Sequence, residues 1–312
     1  MSNGTNPQEH DVIIVGGGPG GLTAGMYCTR AELDTILLEK MMPGGQIANT
    51  ELVEDYPGFE SISGIELAKK IESHAKKFGL DIQTETVRKI KADGKYWLVE
   101  GDDNSYKAKA VIIATGGEPR KLGVPGEAEL TGKGVSYCAI CDGAFFKGEV
   151  MAVVGGSDVA VEEGNFLTKF ASNVYIIHRR DKLRAQKIIQ ARAMKNLKIK
   201  FFWDSVVEKI NGTDRVESVD IKNVKTGQVT NLKIGAIFPF IGFIPNSNLF
   251  DQEIKKDPQG YIITNEYMET SLKGIYAIGD VRKQLCKQIT NAIGDGTTAA
   301  VAVDKYIESW ND

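Results

Sequence analysis

Cys138 and Cys141, separated by two residues and followed directly by Asp142, are the residues of this chain whose types and spacing most clearly invite chemistry. A two-residue spacer lets two thiols close into a small disulfide ring and open again, and a helix start or a nearby donor lowers the pKa of one of them. Asp142 is placed to pass a proton to a leaving thiolate, or to cap a following helix, and both roles can hold together. Zinc would accept the same spacing, but it takes four ligands. There is no second cysteine pair, and His10, His74 and His178 are scattered along the chain. The plainer alternative is a pair of structural cysteines. The chemistry favours a redox-active dithiol.

Such a dithiol needs an electron source, and two stretches of sequence have the form of nucleotide sites. An apolar run from Val12 to Val15 enters the turn Gly16-x-Gly18-x-x-Gly21, continues through helix formers, and returns as a second apolar run ending at Glu39. In a strand–turn–helix–strand unit the first glycine makes the tight turn, the second admits a pyrophosphate against bare backbone, and the third lets helix pack on strand. The phosphate then sits on a helix N-terminus, and an acid in the place of Glu39 accepts ribose hydroxyls. A second copy starts at Met151–Val154 and turns through Gly155, Gly156, Ser157 and Asp158. The same 23-residue step separates Gly16 from Glu39 and Gly155 from His178. Where the first copy ends on an acid, the second ends on His178, Arg179 and Arg180, with Arg184 one helical turn further on. A carboxylate there would repel a 2′-phosphate, whereas guanidinium groups bind one in bidentate geometry. The first copy is read as a site for FAD (or NAD) and the second as a site for NADPH; the bland alternative for the arginines is a solvated basic surface.

The elements around these turns repeat as well. A helix opened by the capping pair Ser63/Glu66, with the stripe Ala68, Ile71, Ala75 and Phe78, precedes short strands from Asp81 to Lys109 and a buried strand 110–114 that ends at Thr115-Gly116-Gly117. In the second half, strands from Ile199 to Leu232 precede the apolar run 236–241. The expected fold is α/β, with two Rossmann-like dinucleotide-binding domains, each carrying an inserted β-meander. A strand ending at Gly279-Asp280 and a helix over Gly294–Tyr306 return the chain to the first domain. That domain is expected to be discontinuous, 1–117 with 245–312, around an inserted 118–244 that carries the dithiol.

Composition bounds the rest. The 312 residues suffice for two domains with real cores, and 34 glycines, about 11% against an average near 7%, mark a chain that needs backbone freedom. Lys plus Arg at 38 against Asp plus Glu at 41 leaves a formal charge of −3 with no basic or acidic block, so no nucleic-acid footprint is expected. No apolar run approaches the roughly 18 residues of a membrane span, and the first ten residues lack a basic start and an apolar core, so a cytoplasmic location is expected. Four cysteines, with Cys28 and Cys286 making up the number, are too few for a secreted disulfide framework.

In their order along the chain, GGGPGG, EKMMPGGQ, ATGG, CAICDG, HRRDKLRA and AIGDV…KQI…GDG resemble the low-molecular-weight thioredoxin reductases of bacteria and archaea over nearly the whole length. The resemblance implies a homodimeric enzyme passing electrons from NADPH through FAD and the dithiol to thioredoxin or a thioredoxin-like protein. It implies that FAD is held by Gly16, Gly18, Pro19, Gly21, Glu39, Lys40, Gly45, Gln46, Thr115, Gly116, Gly279, Asp280, Lys287, Gln288 and Ile289. It further implies that Cys141 is the sulfur nearer the flavin, that Cys138 attacks the thioredoxin disulfide, and that Asp142 is the acid. Cys28 and Cys286 match no redox position of the family, and Cys28 is expected to be a packed helix thiol.

The sequence departs from the family at several points. Ser157 stands where glycine is usual and Val159 where serine is usual, so a side chain is expected where the second pyrophosphate would meet bare backbone. Asp55 replaces a usual asparagine and Lys287 a usual arginine. Ser157 and Val159 keep open a disulfide reductase of this fold fed by NADH or ferredoxin. A dithiol oxidase would predict loss of the arginines, which are present; a nucleotide-gated sensor would leave the dithiol idle.

Overall fold

The structure, a computed structural model, describes residues 7–50, 52–250 and 253–311. The chain forms two compact units, one reaching Glu118 and resuming at Ile244, the other Pro119–Phe243. In chain order the first unit runs β1 (Gln8–Val15), α1 (Pro19–Arg30), β2 (Thr35–Glu39), α2 (Gly64–Lys77), β3 (Asp81–Thr84), β4 (Val87–Asp93), β5 (Tyr96–Gly101) and β6 (Ser105–Ile113), and β7 (Gly117–Pro119) leads out of it. The second contains α3 (Ala139–Asp142), β8 (Val150–Gly155), α4 (Asp158–Leu167), β9 (Asn173–Ile177), α5 (Lys187–Lys195) and β10 (Ile199–Phe202). It continues through β11 (Ser205–Asn211), β12 (Ser218–Asn223), β13 (Val229–Lys233) and β14 (Ala236–Phe240). β15 (Phe243–Pro245) leads back to β16 (Ile275–Ala277) and α6 (Ile289–Glu308). Among the described residues no helix is long and apolar enough to cross a membrane.

Each unit is built on a parallel sheet of the same order. In the first it is β3-β2-β1-β6, with β16 paired to β6; in the second it is β10-β9-β8-β14. Strands buried on both faces read as continuous apolar runs, and β1 shows why: Val12 and Ile14 join one core cluster while Ile13 and Val15 join the cluster on the opposite face. The two meanders differ. In the first unit β6 is shared lengthwise, since residues 105–108 pair antiparallel with β5 and residues 111–113 pair parallel with β16. The meander β4-β5 is therefore continuous with the main sheet, whereas β11-β12-β13 forms a separate antiparallel sheet.

Local chemistry sets the helix ends. Ser63 Oγ accepts the Glu66 N–H at 3.2 Å and opens α2, as its capping pair requires. The apolar stripe of that helix is shorter than its spacing suggests: Phe78 is the C-cap and lies exposed, with the Arg30 guanidinium 5.1 Å from its ring centroid. α6 starts at Ile289, five residues before the expected Gly294, because the polar turn Thr290-Asn291 is carried inside the helix.

α1 and α6 cross with their backbones in contact. A Cβ on Gly296 would lie 2.4 Å from the Gly20 carbonyl oxygen and 3.1 Å from the Ala24 nitrogen, and neither backbone atom can rotate away. Gly296→Ala gains roughly 0.5–1 kcal/mol of helix propensity but forces the crossing open at about 1–3 kcal/mol. A net loss of stability, read as a lower urea midpoint at unchanged slope, is the expected outcome. An unchanged or higher midpoint would show that the two helices separate freely.

Candidate functional site

In the first unit the sequence-distant motifs converge on the turn after β1. Gly16 has φ +107°, and a Cβ there would lie 2.4 Å from the Ala114 carbonyl oxygen, so the turn is pressed against the end of β6 and only glycine fits. Glu39, at the end of β2, accepts the Gly17 N–H on Oε2 at 2.6 Å and the Met41 N–H on Oε1 at 3.2 Å. The Gly17 carbonyl accepts the Gly44 N–H at 2.8 Å, which lays Gly45 against Gly18, while Lys40 Nζ lies 3.6 Å from Glu118 Oε1 and Gln46 Nε2 donates to the Gly117 carbonyl at 3.4 Å. Pro19 opens α1, whose N-cap Gly18 supplies no side-chain cap. A Cβ on Gly18 would meet nothing within 4 Å, which leaves open space over uncapped helix N–H groups. That cradle fits a dinucleotide pyrophosphate, and the Glu39 carboxylate has the remaining lone pairs to accept ribose hydroxyls.

Thr115 and Gly116 follow β6 on the same sheet edge. The Thr115 hydroxyl donates to the Asn246 carbonyl at 2.7 Å and the Asn246 amide returns a bond to the Thr115 carbonyl at 3.1 Å. Gly279 and Asp280 follow β16. Asp295 on α6, buried, accepts the Gly279 N–H at 3.0 Å and the Arg282 Nε–H at 2.7 Å, so the loop is held from beneath by an ion pair. Burial pushes the Asp280 carboxyl above its ordinary value, against the opposing charge of Lys287. Lys287 Nζ donates to the Asp280 carbonyl at 2.8 Å and sits 3.7 Å from the Tyr261 ring centroid. Gln288 is the N-cap of α6 and Ile289 its first residue, with no side-chain cap bond. Asn246, Tyr261, Arg282 and Asp295 escape the sequence reading; only the GDG stretch containing Asp295 pointed to one of them.

The second unit repeats the turn with different occupants. A Cβ on Gly155 would lie 2.4 Å from the Phe240 carbonyl oxygen, as at Gly16, but Ala160 occupies the place of Gly21. Ser157, the counterpart of Gly18, has φ −84° and ψ 176° against −70° and −179°. Neither conformation demands glycine, so the serine strains no backbone, and it forms no side-chain cap on α4. His178 is only 5% exposed: its ring lies over Gly156, edge-on to Trp203, and Nε2–H donates to the Lys182 carbonyl at 3.0 Å. Asp158 bonds back to the loop at the surface, its Oδ1 accepting the Gln186 N–H at 2.6 Å. The Gly156 carbonyl accepts the Arg184 N–H at 2.7 Å and the Ala185 N–H at 3.1 Å. These bonds pin the loop to the glycine turn and leave Arg179, Arg180 and Arg184 exposed.

Cys138 and Cys141 are disulfide-bonded, with S–S 2.07 Å and Cα–Cα 5.3 Å. Cys138 caps α3: its Sγ accepts the Cys141 N–H at 3.2 Å. A donor so placed stabilises a thiolate on Cys138 once the bond opens. Cys141 is exposed, Cys138 half-buried, and Asp142 forms no side-chain cap bond on the turn that follows. Phe145, also missed in the sequence, is 81% exposed four residues beyond Cys141. The segment after the dithiol packs on the C-terminal end of α4, where a Cβ on Gly143 would meet Leu167, whereas the glycine turn feeds the N-terminal end. Cys28 is fully buried on α1, and burial, with a smaller contribution from Asp304, pushes its thiol up to about 12. Cys286 is free and exposed.

Two Rossmann-type cradles and a reversible disulfide define the class of nucleotide-dependent disulfide oxidoreductases. The sequence pattern described as Pyridine nucleotide-disulphide oxidoreductase matches residues 10–296. A thioredoxin reductase of Bacillus subtilis (strain 168) is 50% identical over 305 residues, covering 97% of this chain and 96% of its own. The crystal structure of Lactococcus lactis thioredoxin reductase (FR conformation) superposes with a TM-score of 0.94 at 47% identity, over 96% of this chain and 99% of that one. The thioredoxin reductase of T. acidophilum gives 0.93 at 35% identity, over 97% and 100%. The chain belongs to the pyridine nucleotide-disulphide oxidoreductase family and, within it, to the low-molecular-weight thioredoxin reductases. Membership implies a flavin, FAD, and a pyridine nucleotide.

The second turn has a pH signature. Burial pushes the His178 imidazole below its ordinary value, reinforced by the charges of Arg184, Arg179 and Arg180 and opposed by the Lys182 carbonyl. The unfolded chain takes up this proton near pH 6.5 while the native ring stays neutral to lower pH. Stability from the neutral ring is therefore complete above about pH 6.5 and is lost as pH falls through that value. His178→Asn should lower stability at pH 7.5 yet show a shallower decline between about pH 7 and 5 than wild type in urea titrations. An equal decline would mean that the native ring is already protonated.

Proposed function

We propose that the protein is an NADPH-dependent thioredoxin-disulfide reductase, that it acts as a homodimer in the cytoplasm, and that its partner is thioredoxin or a thioredoxin-like protein. The observation that carries this is a disulfide on a short helix in the same unit as a nucleotide turn whose acid is replaced by the buried His178, with exposed arginines directly beyond it. Gly16, Gly18, Pro19, Gly21, Glu39, Lys40, Gly45, Gln46, Thr115, Gly116, Gly279, Asp280, Lys287, Gln288 and Ile289 would hold FAD. Bound there, the flavin supplies the two-electron relay between a hydride donor and the disulfide. Gly155, Gly156 and Ser157 offer the backbone for the second pyrophosphate, and Arg179, Arg180 and Arg184 the charge for a 2′-phosphate. Asp158 and His178 serve that site from behind, by holding the arginine loop on the turn.

In the exchange step the Cys138 thiolate attacks one sulfur of the partner's disulfide and expels the other as a thiolate. Asp142 provides the proton that the leaving thiolate takes up. Cys141, giving its proton to the Asp142 carboxylate, then attacks Cys138 in the mixed disulfide and restores the internal bond; the partner's second sulfur leaves as a thiolate and takes that proton from Asp142, so the partner departs as a dithiol. The Cys141 N–H on Cys138 Sγ favours Cys138 as the attacking atom.

Cys138→Ser and Cys141→Ser should each abolish thioredoxin reduction while leaving bleaching of the flavin by NADPH under anaerobic conditions intact. Substantial thioredoxin turnover by either single variant would refute the dithiol route. Arg179→Ala combined with Arg180→Ala should lower the NADPH-over-NADH ratio of kcat/KM by at least roughly tenfold. A ratio equal to wild type would remove the arginines from cofactor choice, and failure of either nucleotide to bleach the wild-type flavin would favour another donor such as ferredoxin.

A further inference from the structure

The dithiol is anchored from its N-terminal side by residues that take no part in the exchange chemistry. Residues 134–136 add to the edge of β14, with the Gly134 carbonyl accepting the Ile237 N–H at 2.8 Å and the Ser136 N–H donating to the Ile237 carbonyl at 3.0 Å. The Ser136 hydroxyl then satisfies the Cys138 backbone, accepting its N–H at 3.1 Å and donating to its carbonyl at 3.2 Å. Between them, Tyr137 packs its ring against the core and donates its phenol to Glu127 Oε1 at 2.8 Å. Glu127 is a carboxylate only 3% exposed, and it accepts two further bonds, from the Leu122 N–H at 2.8 Å and the Gly123 N–H at 2.7 Å.

We infer that Tyr137 and Glu127 are a positioning pair for the redox dithiol, fixing Cys138 so that its sulfur meets both Cys141 Sγ and the Cys141 N–H. The two backbone N–H bonds already give Glu127 a local role in closing the 122–127 loop; the phenol is a third donor that this role does not need. A phenylalanine would pack the ring equally well, so what the hydroxyl adds is its polar contacts, the bond to Glu127 foremost and a lesser one with Thr131. The part-buried bond to Glu127 is made to a buried carboxylate, the kind of bond that holds a geometry. When the disulfide opens, the covalent link to Cys141 is lost, and the Ser136 and Tyr137 anchors become what keeps Cys138 over the helix start. Loosening them lowers the effective concentration of one sulfur at the other and the donor strength felt by a Cys138 thiolate. Tyr137 matches this placement: burial and the Glu127 carboxylate push its phenol upward, so it remains a donor throughout the working pH range.

The test is Tyr137→Phe in the holoenzyme, equilibrated anaerobically with glutathione redox buffers and read by thiol trapping and mass spectrometry. In the reaction followed, the Cys138–Cys141 disulfide plus two glutathione thiols gives two cysteine thiols plus glutathione disulfide. A positioning role predicts a shift toward the dithiol by about three- to tenfold in the equilibrium constant. It also predicts a lower proportion of alkylation at Cys138 relative to Cys141 at limiting iodoacetamide, and flavin reduction by NADPH within about twofold of wild type. A purely structural role would lower the unfolding midpoint alone, because the folded molecules would keep their dithiol geometry. Glu127→Gln, which keeps one acceptor oxygen, should shift the same equilibrium, and the double variant should shift it no further than the larger single change. Wild-type equilibrium and alkylation ratio in Tyr137→Phe, or additive shifts in the double variant, would overturn the inference. The inference rests on the dithiol of the proposed reductase, but thiol trapping needs neither NADPH nor thioredoxin; a wild-type protein inert toward thioredoxin would sink the proposed function and leave this measurement standing.

Discussion

In both units the strand that enters the glycine turn ends against the carbonyl of its sheet neighbour. A Cβ would lie 2.4 Å from the Ala114 oxygen at Gly16 and 2.4 Å from the Phe240 oxygen at Gly155. The rest of the site depends on that closeness. It exists because β1 pairs with β6, and β8 with β14, in register to their last residues, so the chain must turn over the edge of its neighbour before a helix can start. The helix N-terminus then faces the carboxyl edge of the sheet, where backbone N–H groups can meet phosphate. A larger residue at Gly16 or Gly155 would have to break the end of the ladder first.

From this shared frame the copies diverge by what covers the middle glycine. A Cβ on Gly17 would meet the Glu39 side chain at 3.2 Å, and one on Gly156 would meet the His178 ring at 2.4 Å. The residue 22 positions beyond that glycine does the same steric work in each copy. In the first, the covering group is the Glu39 carboxylate, which also accepts the Gly17 N–H. In the second, it is a buried neutral ring, and the charge has moved to the three arginines beyond it. Charge beside the second turn can thus change without disturbing the turn itself, because cover and charge reside on different residues.

What was legible in the sequence follows the same division between local and long-range causes. The strand–turn–helix units, the Ser63 cap and the packed thiol of Cys28 are written in spacing and residue type over a few turns of chain. The partners of the loops are not: Thr115 meets Asn246 across 131 positions, and Gly279 depends on Asp295 through a bond that no periodicity announces. The split of β6 between an antiparallel and a parallel neighbour does follow its pattern, alternating over residues 105–109 and continuously buried over 110–113, but nothing in that pattern says that one strand carries both. Asp158 and His178 were legible as members of the second turn but not as residues that tie the arginine loop to it, because their partners, Gln186 and Lys182, are backbone groups that carry no residue-type signature.

The four cysteines show how a single side chain is sorted into different roles by surroundings alone. Cys28 lies on α1 with no access to water, and burial raises its thiol to about 12, so at neutral pH it is a small apolar group rather than a nucleophile. Cys138 has the opposite setting: its sulfur lies at a helix start, receives the Cys141 N–H, and is held there by backbone bonds through Ser136. Cys286 is exposed but has no paired thiol within the chain. A thiol does reversible work only with both a donor to stabilise its thiolate and a second sulfur within bonding distance, and Cys138 with Cys141 meets both conditions. That requirement explains why the redox pair sits on a short helix at the unit's surface instead of in its core, where burial would have disabled it as it disables Cys28.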